Sequence, residues 1–148
     1  MKQLFFNKLA LAFALLFGLM ACDPLIGPFT EQAYKNATSL KAQSLALMAK
    51  STQPYANHRA AAEKLMVDVD AAYEYANGLP RNDLSARQWN ILRDPNGNLL
   101  GGYLRRWRDA GKINSFVMQE SRKQIGSAFD TIICLEINKR EASACDEL

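Results

Sequence analysis

Histidine is almost missing from this chain, and His58 is the only one. A histidine-based metal set or a Ser-His-Asp arrangement needs that ring among suitable partners, and neither can be assembled convincingly here. His58 sits beside Arg59 near the start of a helical stretch and reads as a surface residue; no metal and no cofactor is expected. Cysteine is nearly as scarce, with Cys22, Cys134 and Cys145 alone. Convincing period-two alternation is lacking throughout, which argues against strands, and no internal repeat is visible. Nor does one sign of charge dominate: 18 basic residues face 15 acidic ones, and Lys2 and Lys8 fall within the first ten positions. The remainder of the chain is close to neutral, which argues against nucleic acid as a partner.

What the chain does have is an uncharged run, Leu9 to Met20, behind a short polar start carrying Lys2 and Lys8. A basic start, an apolar core and a small residue before a cut make the layout of a secretory signal. Ordinary signal peptidase wants small residues at the first and third positions before its cut, and the third position back from Cys22 is Leu19. Leu19-Met20-Ala21-Cys22 resembles instead a lipobox, the signal of bacterial lipoproteins. The resemblance covers residues 1 to 22 only. It implies a diacylglycerol on the Cys22 sulfur, cleavage before Cys22 and acylation of the new amino group. Each buried CH₂ contributes roughly 0.8 kcal/mol, so several acyl chains anchor firmly where one is marginal. An uncleaved membrane helix is the alternative, but a span needs around 20 apolar residues and this run is shorter and ends in Ala-Cys-Asp-Pro. Asp23 directly after the lipidated position resembles the inner-membrane retention signal of enteric bacteria. The expected location is therefore the periplasmic side of the inner membrane, with the outer membrane as alternative.

On that reading residues 1–21 are the signal, 22–28 a lipidated tether and 29–148 one helical domain. Asp23-Pro24-Leu25-Ile26-Gly27-Pro28 carries two prolines and a glycine, the composition of an extended tether. With Cys22 lipidated, Cys134 and Cys145 remain, and two thiols in an oxidising envelope point to a disulfide. A few more helical residues after Cys134 and an extended return span the distance, and so short a loop contributes about 3 kcal/mol at most. The alternative is a buried Cys134 with a free Cys145.

Helical spacing organises the remainder. Ala33, Ala37, Leu40, Ser44, Leu47 and Met48 share one face from Thr30 to about Lys50, with Thr30 as N-cap. Pro54 suits the first turn of a second helix, whose stripe is Ala62, Leu65, Met66, Val69, Ala72, Tyr73 and Ala76, stopped by Asn77-Gly78 and Pro80. Ser85 and Gln88 form a capping box for a short helix to Arg93. Asp94-Pro95-Asn96-Gly97 makes a tight turn, a further helix runs from about Asn98 to Ala110, and Asn114 or Ser115 caps the longest, to about Lys139. Met118, Ile125, Ala128, Phe129, Ile132 and Leu135 are its stripe. Three longer helices and two short ones make a small all-α bundle the economical fold.

Chemistry is thinly provided. Asp68 and Asp70, two apart on a helix, point away from each other. Residues 94–105 hold Leu99 and Arg105 where a calcium loop needs its sixth-position glycine and twelfth-position glutamate, and no Gly-Lys-Ser/Thr follows Gly97, Gly101 or Gly102; the Gly101-Gly102 pair reads as close backbone packing. Residues 81–112 stand out by charge, with seven basic residues against three acidic, +4, while 22–80 comes to −1 and 113–148 to −2. Trp89, Tyr103 and Trp107 lie inside that basic part. Arginine with Trp or Tyr is the pairing of binding hot spots and anionic membrane surfaces. Tyr103, Arg105, Arg106, Trp107 and Arg108 therefore form either a face that docks an acidic envelope protein or anionic headgroups, or a core pair of aromatics with a solvated arginine rim. The functional expectation is a lipid-anchored envelope protein that binds without catalysing. A hydrolase or peptidoglycan-acting enzyme and a structural spacer are the alternatives. Two facing carboxylates in a polar cleft would mark the enzyme, an exposed Arg and Trp face the binder, and no exposed aromatic patch the spacer.

Overall fold

Apolar stripes on several helices need a shared interior, and the computed structural model provides one for the residues it describes, 27–138 and Cys145. The leader and the lipobox, Cys22 included, lie outside them. The elements are α1 (Glu31–Met48), a 3-10 turn (Tyr55–Asn57), α2 (Arg59–Gly78), α3 (Asp83–Arg93), α4 (Leu100–Ala110) and α5 (Ser115–Ile137). The fold is a small all-α bundle of three longer helices and two short ones. No helix among the described residues is long and apolar enough to cross a membrane.

Helices α1, α2, α3 and α5 form a ring in which each packs on the next and α5 closes against α1. Lys41 pairs with Asp130, and Leu45 lies over Gly126, four residues on and four back, so α1 and α5 run antiparallel. One pole thus gathers the start of α1, the α2–α3 corner and the end of α5. The other gathers the end of α1, the 3-10 turn and the start of α5, and α4 lies across it. Buried alanines at 33 and 37 on α1 and at 62, 72 and 76 on α2 let backbones approach. Towards α3 and α5 the core fills with larger groups, among them Trp89 set edge-on to Phe129 at 5.9 Å between ring centres.

The stripes are where periodicity puts them, but several boundaries differ. Thr30 caps α1, its Oγ1 accepting from the Ala33 N–H at 3.2 Å, and Asn114 Oδ1 does the same for Phe116 at 2.8 Å. Pro54 opens the 3-10 turn rather than α2, because His58, at φ −126° and ψ 7°, interrupts the helical path and defers α2 to Arg59. Helix α3 starts at Asp83, two residues before the expected cap: Ser85 is buried inside it, and Asn82 precedes it, its side-chain N–H donating to the Ala76 carbonyl at 2.9 Å. On α5 the buried stripe also takes in Glu136.

The first described residue is not a loose tether. Gly27 is buried, its N–H donates to the Arg81 carbonyl at 2.8 Å, and a Cβ there would come within 2.4 Å of the Pro80 carbonyl oxygen. Arg81 takes φ 58° to present that carbonyl, a conformation non-glycine residues seldom adopt. At the same pole Cys134 and Cys145 are joined, with Cα atoms 5.8 Å apart.

Candidate arginine recess on the capping helix

Helix α4 owes its position to its glycines. A Cβ on Gly101 would lie 2.1 Å from the Arg93 carbonyl oxygen, and one on Gly102 would lie 1.8 Å from that of Gly97. Any side chain would collide with backbone, so the pair lets α4 press directly onto the 93–97 turn. That turn is closed by its own groups: Gly97 N–H donates to the Asp94 carbonyl at 3.1 Å and Asn96 N–H to the Asp94 side chain at 2.8 Å. Gly111, at φ 78°, then ends α4. Its carbonyl accepts from the Tyr55 N–H at 2.8 Å, and the Ile113 N–H donates to the Ser51 carbonyl at 2.8 Å.

The five residues expected to make one docking face are divided by this placement. Tyr103 and Trp107 do share a side of α4, but it is the inner side, and they are 1% and 0% exposed. Trp107 donates its ring N–H to the Gln53 carbonyl at 3.0 Å and meets Tyr55 edge-on at 5.4 Å. The Tyr103 hydroxyl pairs with buried Ser51 Oγ. Burial pushes the Tyr103 phenol above its usual value, opposed by that hydrogen bond and by the charges of Arg106 and Arg122. The aromatic part of the expected face is therefore core, because i, i+3 spacing sets each ring on one side of α4 with buried Leu100 and Leu104.

Arg105, Arg106 and Arg108 are exposed, as expected, but not equivalent. Arg108 Nε donates to the neighbouring Asp109 Oδ1 at 2.9 Å in an exposed ion pair. Arg105 and Arg106 border an open recess of about 460 Å³ with Asn96, Gly97, Asn98, Gly102, Asp109 and Ala110. Arg105 reaches across it to Asn96 Oδ1 at 2.7 Å. Missing side chains at Gly97 and Gly102 leave the floor as bare backbone. The site is thus a polar dent with two guanidinium groups, one carboxylate and two side-chain amides, able to hold a carboxylate from a partner by forked N–H donation.

The remaining candidates fall elsewhere. His58 is half-buried, with Nε2 2.8 Å from Gln53 Oε1 and its ring 5.6 Å from that of Trp107, so it belongs to the packing around the tryptophan. Asp68 pairs with Lys64 at 2.6 Å and Asp70 with Arg93 at 2.9 Å, so the two carboxylates serve different neighbours. Arg93 also stacks 3.8 Å over the Tyr73 ring. No group of three metal-ligating side chains occurs among the described residues. Asn96, Asn98 and the glycine floor are not marked by the sequence as site residues; the asparagine-rich turn directly before α4 is their only signal. Comparison with family models, curated proteins and solved structures finds no match.

Proposed function

We propose that this chain is a bacterial envelope lipoprotein, anchored through acyl groups on Cys22, that works by holding an acidic segment of another envelope protein at the α4 recess. The observation that carries the binding half is the pair of exposed guanidinium groups, Arg105 and Arg106, over a glycine floor; the aromatic half of the expected face is core, so this polar recess replaces the Arg and Trp face as the ground for a binder over a spacer. A rigid scaffold under a charged dent limits the entropy lost on binding. The anchoring half is supported by Leu19-Met20-Ala21-Cys22 behind the Leu9–Met20 run. Asp23 favours retention at the inner membrane, with the head in the periplasm.

The test uses the full lipidated chain and a fluorescent poly-glutamate peptide as a stand-in for an acidic segment. Replacing Arg105 and Arg106 together by Ala is expected to weaken binding at least about tenfold, a loss of ~1.4 kcal/mol, and to flatten its salt dependence. Stability should stay within about 0.5 kcal/mol, since both side chains are exposed. Lys64→Ala, which removes an exposed cation that does not line the recess, should weaken binding far less. Equal binding by the double variant and the parent removes the recess from the proposal.

A further inference from the structure

The two poles of the bundle differ in what they leave outside. At the pole where α1 and α3 begin and α5 ends, Phe29 is 53% exposed, Leu84 38% and Ile137 55%, and Pro80 is exposed between them in the chain's layout. These residues come from separate segments, yet the topology brings them to one end. Phe29 stands just before α1, its ring 6.3 Å from that of Tyr34. The register fixed by Lys41 with Asp130 sets Ile137 level with Tyr34, seven residues away along each helix. Leu84 lies in the first turn of α3, beside the corner that holds Gly27. Of the other exposed large apolar side chains, Val67 lies along a flank, while Ile91 in the last turn of α3 and Phe116 in the first turn of α5 come to the far pole on separate helices.

The chain itself says what this end meets. From Cys22 to Gly27 is five residues, which span roughly 17 Å at full extension. Gly27 is held at the α2–α3 corner by its hydrogen bond to Arg81 and by the space against Pro80 that admits no side chain. An acylated Cys22 therefore keeps that corner within a short reach of the lipid surface. The bundle, by contrast, extends roughly 27 Å along α1. Tether length alone would let the head lie on its flank; the apolar groups at the tether pole select that pole. Arg81 with Asp83 and Lys35 with Glu31 offset each other there, so among the described residues apolar contact rather than net charge draws the end down.

Resting on the lipid-anchor reading, we infer that the α2–α3 pole sits on the bilayer, with Phe29, Pro80, Leu84 and Ile137 at the headgroup boundary and α4 with its arginine recess facing away. The recess then meets partners in the aqueous space and not the headgroups of its own membrane.

The test places nitroxide labels on the full chain by Phe29→Cys, Leu84→Cys and, as the far reference, Lys112→Cys, leaving the Cys134–Cys145 bridge in place. All three positions are exposed, and circular dichroism of each labelled chain checks its fold. The samples are reconstituted in vesicles of phosphatidylethanolamine with a minority of phosphatidylglycerol, and the mass of the N-terminal peptide is measured on the same material. The expected result is an acylated peptide and an oxygen-to-nickel-chelate accessibility ratio several-fold higher at positions 29 and 84 than at 112. An acylated chain with all three labels equally open to the chelate overturns the orientation and leaves the anchor standing. An acylated chain with only the label at 112 shielded reverses the orientation. An unmodified Cys22 removes the anchor and the orientation together.

Discussion

The far pole is capped by a helix and the tether pole is not, and the two are built by different means. At the far pole α4 covers the bundle, Trp107 and Tyr103 turn inward, and backbone bonds from Tyr55 to Gly111 and from Ile113 to Ser51 lace it to the α1–α2 connection. At the tether pole one backbone bond from Gly27, one left-handed residue and one disulfide hold the segments, while large apolar groups point outward. The contrast teaches that a polar recess and an uncapped end with apolar groups outside can stand at opposite poles of a single domain.

Adding one methyl group at the capped pole should show the contrast most sharply. Gly102→Ala pushes a Cβ into the Gly97 carbonyl, which belongs to backbone and cannot turn aside, and overpacking of that kind should cost about 3 kcal/mol. Thermal melts should drop accordingly and the recess should lose its affinity for poly-glutamate; an unchanged midpoint would mean α4 is not seated as described. Cutting the bridge at the uncapped pole comes next. Cys134→Ser with Cys145→Ser releases a loop of 11 residues, worth about 2 to 3 kcal/mol by loop entropy, while the far pole, and with it poly-glutamate binding, should be unaffected. Loss of binding in that variant would show the two ends to be one cooperative unit.

The smallest effect concerns Tyr103. Its phenol is held above the ordinary value by burial, so the fold favours the neutral form: the stabilisation is intact below the unfolded value near 10 and is lost as pH rises through the higher folded value. Tyr103→Phe should cost about 1 to 2 kcal/mol at neutral pH by leaving buried Ser51 Oγ without its partner. It should also make stability fall less steeply than the parent's above pH ~10. Urea midpoints across that range check both, and parallel curves would place the alkaline sensitivity elsewhere.

The helices were legible because burying a face demands residues three and four apart, and Ala37, Val69, Phe129 and Ile132 satisfy that demand locally. The glycine pair was legible for the same reason: two adjacent side chains omitted at a helix start imply something close by. Caps were harder. Ser85 with Gln88 has the spacing of a capping box, but Ser85 was claimed by the interior and Asn82 took the position before α3. The recess was legible only in part. Its arginines drew notice by charge, yet Tyr103 and Trp107 have the same spacing whether they dock a partner or fill a core, and only the helices beneath α4 decide between the two. Asn96 and Asn98 join the arginines through the approach of α4 to the turn, a contact that no local pattern announces.

The disulfide also governs where the chain can be extended. By tying Cys145 to the last turn of α5, it brings both ends of the described chain, Gly27 and Cys145, to the same side of the head. A reporter or affinity tag joined directly after Cys145 would start from that side. Grafted beside Lys112 it would stand at the opposite pole, just after the end of α4.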